Sequence, residues 1–315
     1  MNTRGLELRV GEEADGMRLD RFLSEQMSVP RSVAEKLVEE GKVRVGTETV
    51  RRKSTRLGSG DVVVVEALPS RESELPSADP GVAFGVVYED DDIVVVDKPA
   101  GIVVHPGSGV RSGTLVSGLL SRYPEIATVG DPARPGIVHR LDKGTSGLLV
   151  VARNPRSHRV LVEAIARRRI QRLYLALVVG HMPEPLGMIE APIGRSRVDR
   201  TKMGVTATGR EAATCYRRLE RFDVADLLEV TLVTGRTHQI RVHMAAVGHP
   251  VVGDTTYGSM DRLGLPLARP FLHAHELVIP GDVLGRELRF RSPLPDDLAG
   301  VLEVLRRRRS ERSRV

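Results

Sequence analysis

Three stretches of this 315-residue chain gather side chains that could do chemistry. Residues 136–150, GIVHRLDKGTSGLLV, set a carboxylate, Asp142, two places after Arg140 and directly before Lys143. Gly144 and Gly147 tighten the loop, and an apolar strand follows. A carboxylate on a rigid turn beside a buried strand is well placed for precise chemistry. A turn closed by a surface ion pair is the competing reading, and these residues alone do not separate the two. Residues 234–249, TGRTHQIRVHMAAVGH, read as a helix that Thr234 or Thr237 caps and Gly248 ends, with Arg236 and Arg241 near its N-terminus. Residues 96–107, VDKPAGIVVHPG, leave a strand at Asp97 for a Pro/Gly-punctuated loop, more a structural turn than a catalytic one when taken alone.

Other chemistries lack their parts. His238 and His243 are five apart, so they do not share the helical face a zinc pair needs, and no His-Glu-x-x-His occurs. His273 and His275 are likewise a poor metal site. The single cysteine, Cys215, excludes a disulfide framework and Cys-rich zinc or iron–sulfur sites. No G-x-G-x-x-G, G-x-x-x-x-G-K-[ST] or G-x-S-x-G is present. Residues 142–147, DKGTSG, superficially resemble an S-adenosylmethionine turn, but His139 and Arg140 precede them where a buried parallel strand would be required. The expectation is therefore no cofactor and no metal.

The elements that must position these residues fall into two domains. Residues 17–66 read as a helix pair followed by a small hairpin-rich sheet. Leu19, Phe22 and Leu23 share one face of the first helix. Ser32 and Glu35 form a capping box for the second, which carries Val33, Leu37 and Val38 and ends at Gly41. Strands follow at 42–45 and 61–66. Between Lys42 and Arg56 lie six basic residues and one acid, Glu48. Such a run is either a solvated loop or a face for nucleic-acid phosphates. Residues 67–82, with three prolines and no apolar period, read as a linker. Residues 83–305 read as one larger domain. Its short β-branched strands lie at 86–88, 93–97, 148–151, 174–179, 229–233 and 276–279, and its helices at 114–121, 156–167 and 237–247. Strands outnumber helices without alternating with them, which predicts an α+β fold with a mixed, mainly antiparallel sheet. The remaining residues, 306–315, read as a basic disordered tail.

Charge and hydropathy narrow the setting. Lys and Arg number 47 against 41 Asp and Glu, a net +6, but the last ten residues alone supply +5, so the excess says little about the folded body. Aromatic residues are 3% and Trp is absent, which disfavours a stacking platform for single strands. No apolar run is long enough to span a membrane, and no signal-peptide core opens the chain. The expected setting is the cytoplasm, with no membrane partner.

Read together, DKPAGIVVHPG (97–107), HRLDKGTSGLLVVA (139–152), YLALVVG (174–180), GRTHQIRVHMAAVGHPVVGD (235–254) and FLHAHEL (271–277) resemble the RluA/RluD family of RNA pseudouridine synthases, nearest in layout to its large-subunit ribosomal D-type members. The RLDRFL, SVAEKLVEEGKVRV and LGSGDVVVV segments resemble the ribosomal-S4-like (alpha-L) RNA-binding domain that members often carry, with Gly46-Thr47 in place of the usual Asn-Gly. The resemblance implies isomerisation of uridine to pseudouridine in RNA, foremost 23S ribosomal RNA; a monomer is expected, with the sequence leaving the oligomeric state open. It implies that Asp142 attacks or deprotonates the flipped nucleoside, that Arg241 pairs with and orients it, and that Tyr174 stacks on the uracil near carbon 5. Arg140 would fill the space left by the flipped nucleotide, Ile240 would line the base pocket, and His139 and Arg236 would join the substrate-binding set. Arg31, Lys42, Arg44, Arg51, Arg52, Lys53 and Arg56 would face the RNA backbone. The other classes weighed are a non-catalytic ribosome-assembly factor, which Asp142, Tyr174 and Arg241 argue against, and an rRNA methyltransferase, which would need a parallel-sheet cofactor domain.

Overall fold

The computed structural model describes residues 6–312 apart from 28, 30, 67–74, 108, 109, 111, 259–263 and 266. It divides into two units, Met1–Leu75 and Pro76–Val315. In the first, helices α1 (Leu19–Gln26) and α2 (Arg31–Glu39) join a sheet of β1 (Leu6–Arg9), β2 (Val43–Val45), β3 (Glu48–Thr49) and β4 (Val62–Val65), in spatial order β1-β4-β2-β3. Leu19, Phe22, Leu23, Leu37 and Val38 close on Val43, Val63 and Val65, as the apolar spacing predicts, with Ala34 buried in place of Val33. Two boundaries differ from expectation. The unit begins before residue 17, because β1 pairs with β4. Helix α2 starts at Arg31, so Ser32 lies inside its first turn. Gly41, at φ +72°, closes the helix in the left-handed conformation that glycine adopts at least cost.

The second unit contains β5 (Gly85–Glu89), β6 (Ile93–Lys98), β7 (Ser146–Ala152), β8 (Gln171–Val179), β9 (Leu186–Glu190), the small hairpin β10 (Ile193–Arg195) and β11 (Met203–Val205), then β12 (Ala213–Arg221), β13 (Ala225–Leu232), β14 (Leu272–Ile279) and β15 (Leu288–Arg291). Nine strands form one sheet, ordered β5-β6-β7-β14-β8-β13-β12-β9, with β15 also on β14. Within it β7 and β14 run parallel, and the other pairings are antiparallel. The fold is α+β, as the pattern of elements indicated.

Strand period explains the two cores. Val94, Val96, Leu149 and Val151 point to one face of the sheet; Ile93, Val95, Leu148 and Val150 point to the other. The first face is covered by residues of α3 (Leu115–Arg122), α5 (Gln239–Ala246) and α7 (Asp296–Arg312), and the second by residues of α4 (Pro155–Ala166) and α6 (Gly281–Leu284). Because both faces are covered, β7 is buried along its whole length. Its parallel seam with β14 needs a close approach at Gly147, which sits at φ +110°, where a Cβ would lie 2.3 Å from the Ala274 carbonyl oxygen.

The segments at either end of this unit depart from expectation. Of the linker, residues 67–74 lie outside the described residues, but Asp79 already bonds Ser117 backbone to backbone at 2.9 Å, so its second half belongs to this unit. The tail is helical, not disordered, as far as Arg312. Leu298, Val301, Leu302 and Leu305 bury one stripe of α7. Arg306 and Arg309 both pair with Glu220, at 2.8 and 2.9 Å. Asp296 and Asp297 at the N-terminus and arginines near the C-terminus also suit the helix dipole. Residues 313–315 lie outside the described residues.

Candidate active site

Asp142 stands on the turn that enters β7, and that turn is fastened on several sides. Thr145 N–H closes it on the Asp142 carbonyl at 3.1 Å. His139, just upstream, is buried, and its Nε2 accepts from the Val150 N–H at 3.1 Å. Burial, with Arg172 adding its charge, pushes this imidazole down to about 3, so it is neutral and its ring fixes the turn against β7. It also borders a cavity beside Asp142. On the other side, Arg269 donates to the Gly144 carbonyl and the Ser146 hydroxyl.

The DKPAG loop serves as a support for Asp142. Gly101 N–H donates to the Lys143 carbonyl at 2.7 Å, tying this loop to the Asp142 turn. Lys98 is wholly buried and donates to the Pro99 and Ile102 carbonyls, which holds the loop in shape. Burial pushes its ammonium down to about 7, against the pull of Asp142.

Helix α5 brings the opposite wall. Neither Thr234 nor Thr237 caps it: the capping residue is His238, in the left-handed region at φ 56°. Thr234 instead donates its hydroxyl to Gln239 Oε1, which also accepts from the Arg236 N–H. Gln239 Nε2 donates to Ala213 O and Thr214 Oγ1, and His243 Nε2 donates to Ala191 O. These buried polar contacts lock the helix to the edge of the sheet.

Arg241 lies between two carboxylates. Its Nε and Nη2 donate to both oxygens of buried Asp254, at 2.7 and 2.9 Å, and its Nη1 reaches Asp142 Oδ2 at 3.4 Å. The Tyr257 ring covers the guanidinium at 5.0 Å. Tyr257 accepts from the Met203 N–H and shares a second hydrogen bond with His238 Nδ1 at 2.7 Å. The other ring nitrogen, Nε2, faces Asp142 Oδ1 at 4.0 Å. Asp254, Tyr257, His238 and Lys98 were not singled out as site residues by sequence reasoning. Of these, Lys98, His238 and Asp254 lay inside quoted motifs, whereas only the fold brings Tyr257 to them.

A narrow slot of about 40 Å³ opens beside Asp142, bordered by Tyr174, Ile240, Thr145, Leu272 and Arg140. Tyr174 is buried, and burial pushes its phenol up to about 12. Arg140, Asp142 and Arg236 are shared with an adjoining cavity of about 290 Å³. Five of the seven expected residues, Arg140, Asp142, Tyr174, Arg236 and Ile240, thus line the slot itself, with Arg241 reaching it through Asp142 and His139 behind it.

In the first unit the basic side chains are sorted by their partners. Arg31 and Arg18 clasp the buried carboxylate of Asp20, each at 2.8 Å. Lys42 pairs with Glu40, Arg44 with Glu66, and Lys53 with Glu35 and Glu39. Among the described residues, Arg51, Arg52 and Arg56 bond only neutral groups: the Glu39 carbonyl, the Ser54 hydroxyl and the Gly16 carbonyl.

Comparison with known proteins agrees with this geometry. Residues 92–246 match the model of the RNA pseudouridylate synthase family, and residues 17–63 match the S4 domain. A ribosomal large subunit pseudouridine synthase D of Nitrosomonas europaea is 39% identical over 97% of this chain and 89% of its own. An uncharacterized RNA pseudouridine synthase of Chloroflexus aurantiacus is 48% identical over 93% of this chain and 91% of its own. The solved structure of human RNA pseudouridylate synthase domain containing 1 superposes with a TM-score of 0.55 at 29% identity, covering 72% of this chain and 97% of that one. With matches of this extent, and with Asp142 and Arg241 meeting at the head of β7, the chain belongs to the family of RNA pseudouridine synthases.

Proposed function

We propose that this synthase isomerises uridines of large-subunit ribosomal RNA, as a monomer in the cytoplasm. The relatives named ribosomal large subunit pseudouridine synthase D, from Nitrosomonas and from Vibrio parahaemolyticus, support the substrate class, since each aligns over more than nine-tenths of this chain. The observation that carries the site assignment is the meeting of Asp142 and Arg241, 99 residues apart in sequence, beside a slot lined by Tyr174 and Ile240.

In this reading the target base leaves its stack and enters the slot, at a cost of a few kcal/mol that is least for loop and bulge nucleotides. Asp142 attacks or deprotonates the nucleoside. The bond from uracil N1 to ribose C1′ breaks, the ring turns, and a bond from C5 to C1′ forms. The proton on C5 leaves, and N1 ends protonated, so atoms balance without a redox partner. Arg241, held by Asp254, orients the Asp142 carboxylate. Tyr174 stacks on the ring, Ile240 lines the slot, and Arg140 fills the gap in the RNA. Arg236 completes the substrate-binding set, and His139 supports it from behind. In the first unit Arg51, Arg52 and Arg56 supply most of the backbone attraction, because Arg31, Lys42, Arg44 and Lys53 share their charge with carboxylates. The test is tritium release from unmodified 23S rRNA carrying [5-³H]uridine. Release by the wild type and at least a 10³-fold loss in Asp142→Asn, with RNA affinity within a few fold, is expected. Equal release by both would overturn the assignment.

A further inference from the structure

The 290 Å³ cavity beside the base slot has a character of its own. Arg140, Arg168, Arg172 and Arg236 border it, and Asp142 is the one carboxylate on its wall. Among the described residues none of these four arginines pairs with a carboxylate, whereas Arg241, a few residues from Arg236, pairs with two.

Two of the four are held at evident cost. Arg172 is 6% exposed, yet its Nε has no hydrogen-bond partner among the described residues. A buried guanidinium without an anion is unfavourable unless something supplies one. Gly235 leaves that guanidinium room: a Cβ there would stand 3.1 Å from Nη1. Arg168 follows the end of α4 at φ 61°. Its N–H bonds Ile165 O, and Arg169 N–H bonds Ala164 O, the arrangement in which this position is normally glycine. An L-residue is strained there, so an arginine at this point lowers stability and directs attention to its side chain.

We propose that this cavity binds a backbone phosphodiester of the RNA strand beside the flipped uridine, with Arg168 and Arg172 as its ligands. The assignment rests on the reading of the neighbouring slot as the uridine site. Arginine's planar fork matches phosphate oxygens, and the shared wall of Arg140 and Asp142 places the anion next to the reacting nucleotide. The contact reads no sequence. It fixes the strand so that the base can enter the slot.

Arg168→Gly separates strain from binding. Relief of the left-handed arginine should raise Tm by about 1–3 °C. The same variant should raise KM for unmodified 23S rRNA about tenfold, with kcat within twofold. The slope of log(1/KM) against log[salt] should become shallower by about 0.7, the value of one lost phosphate contact on single-stranded RNA. Arg172→Gln should give the same KM and salt signature. A stabilised Arg168→Gly enzyme with KM and salt slope unchanged would overturn the proposal, as would a fall in kcat alone in either variant. Inorganic phosphate at constant ionic strength tests the cavity independently of turnover. It should raise the Tm of the wild type more than that of Arg172→Gln; an equal response in both would dispose of the anion site. Absence of tritium release by the wild type, alongside a phosphate response that needs Arg172, would fault the uridine reading and leave the anion site standing.

Discussion

Asp254 offers the sharpest test of how the site is built. Its two oxygens take four donors: Arg241 Nε on Oδ2, and Arg241 Nη2, Thr256 N–H and Tyr257 N–H on Oδ1. The side chain is wholly buried, and Arg241 is 7% exposed. Asp254→Asn keeps the volume but offers one oxygen. If the amide oxygen stays at the Oδ1 position, its NH₂ meets Arg241 Nε donor to donor. One charge-assisted hydrogen bond and the neutralising charge are lost, which costs about 3 kcal/mol, the low end for breaking a buried pair. For a unit of this size that is a fall in Tm of about 6–12 °C. The loosened guanidinium would swing toward Asp142, and a displacement of this kind at a reacting group lowers kcat about 10²-fold.

The pH dependence supplies a second readout. Burial acts to raise the Asp254 carboxyl, but the bonds and charge of Arg241 and the two amide N–H groups outweigh it, so its pKa lies below the ordinary 3.8. A carboxyl depressed in the folded state stabilises the fold above its unfolded value, and that contribution is lost as pH falls through the folded value. The stability gap between wild type and Asp254→Asn should therefore be full at pH 7 and narrow below about pH 3.8, as urea titrations followed by circular dichroism would show. A gap under about 1 kcal/mol at pH 7, or one that stays constant down to pH 3, would refute the view that Asp254 anchors Arg241.

Three other outcomes follow from the same geometry. Gly147→Ala would drive a Cβ into the backbone of β14 and should cost about 3 kcal/mol or more, seen as a Tm loss near 10 °C or as insoluble protein. The Tyr174 phenol, raised to about 12 by burial, stays protonated through pH 10, so kcat should show no rise between pH 8 and 10; a rise that Tyr174→Phe removes would contradict this. Replacing Arg51, Arg52 and Arg56 together by Gln should flatten the salt dependence of RNA affinity by about two, and the same change at Lys42, Arg44 and Lys53 should do less, as filter binding across a salt series would measure.

Legibility tracked burial. Strands β6, β7 and β8 carry unbroken apolar runs because both sheet faces are covered, and these were found within two or three residues. Strands β9 and β12 were not found. Leu186 and Met188 of β9 are exposed, and β12 ends in mixed charges, so neither shows an apolar run. The arginine run at the end of the chain read as solvated because its main anchor, Glu220, lies on β12, 86 residues earlier. At the site, Asp142, Tyr174 and Arg241 were legible as members of motifs. The helix cap was not, since a histidine at φ 56° is an unfavoured choice that only the surrounding contacts with Tyr257 and Asp142 explain.

The surroundings of the two carboxylates on Arg241 favour Asp142, and not Asp254, as the one proposed to react. An ionised carboxylate accepts about four hydrogen bonds, and Asp254 has all four, two from Arg241 and two from backbone amides. Three of them fall on Oδ1 and one on Oδ2, and the buried side chain has no room to move. Asp142 has one long contact to the same arginine, at 3.4 Å, and a histidine nitrogen at 4.0 Å, while its side chain remains 15% exposed. It is aimed but not saturated, so an incoming nucleoside can take up its free lone pairs without displacing a strong bond. Division of labour between an anchoring and a reacting carboxylate follows from counting donors, and exchanging their surroundings would exchange their roles.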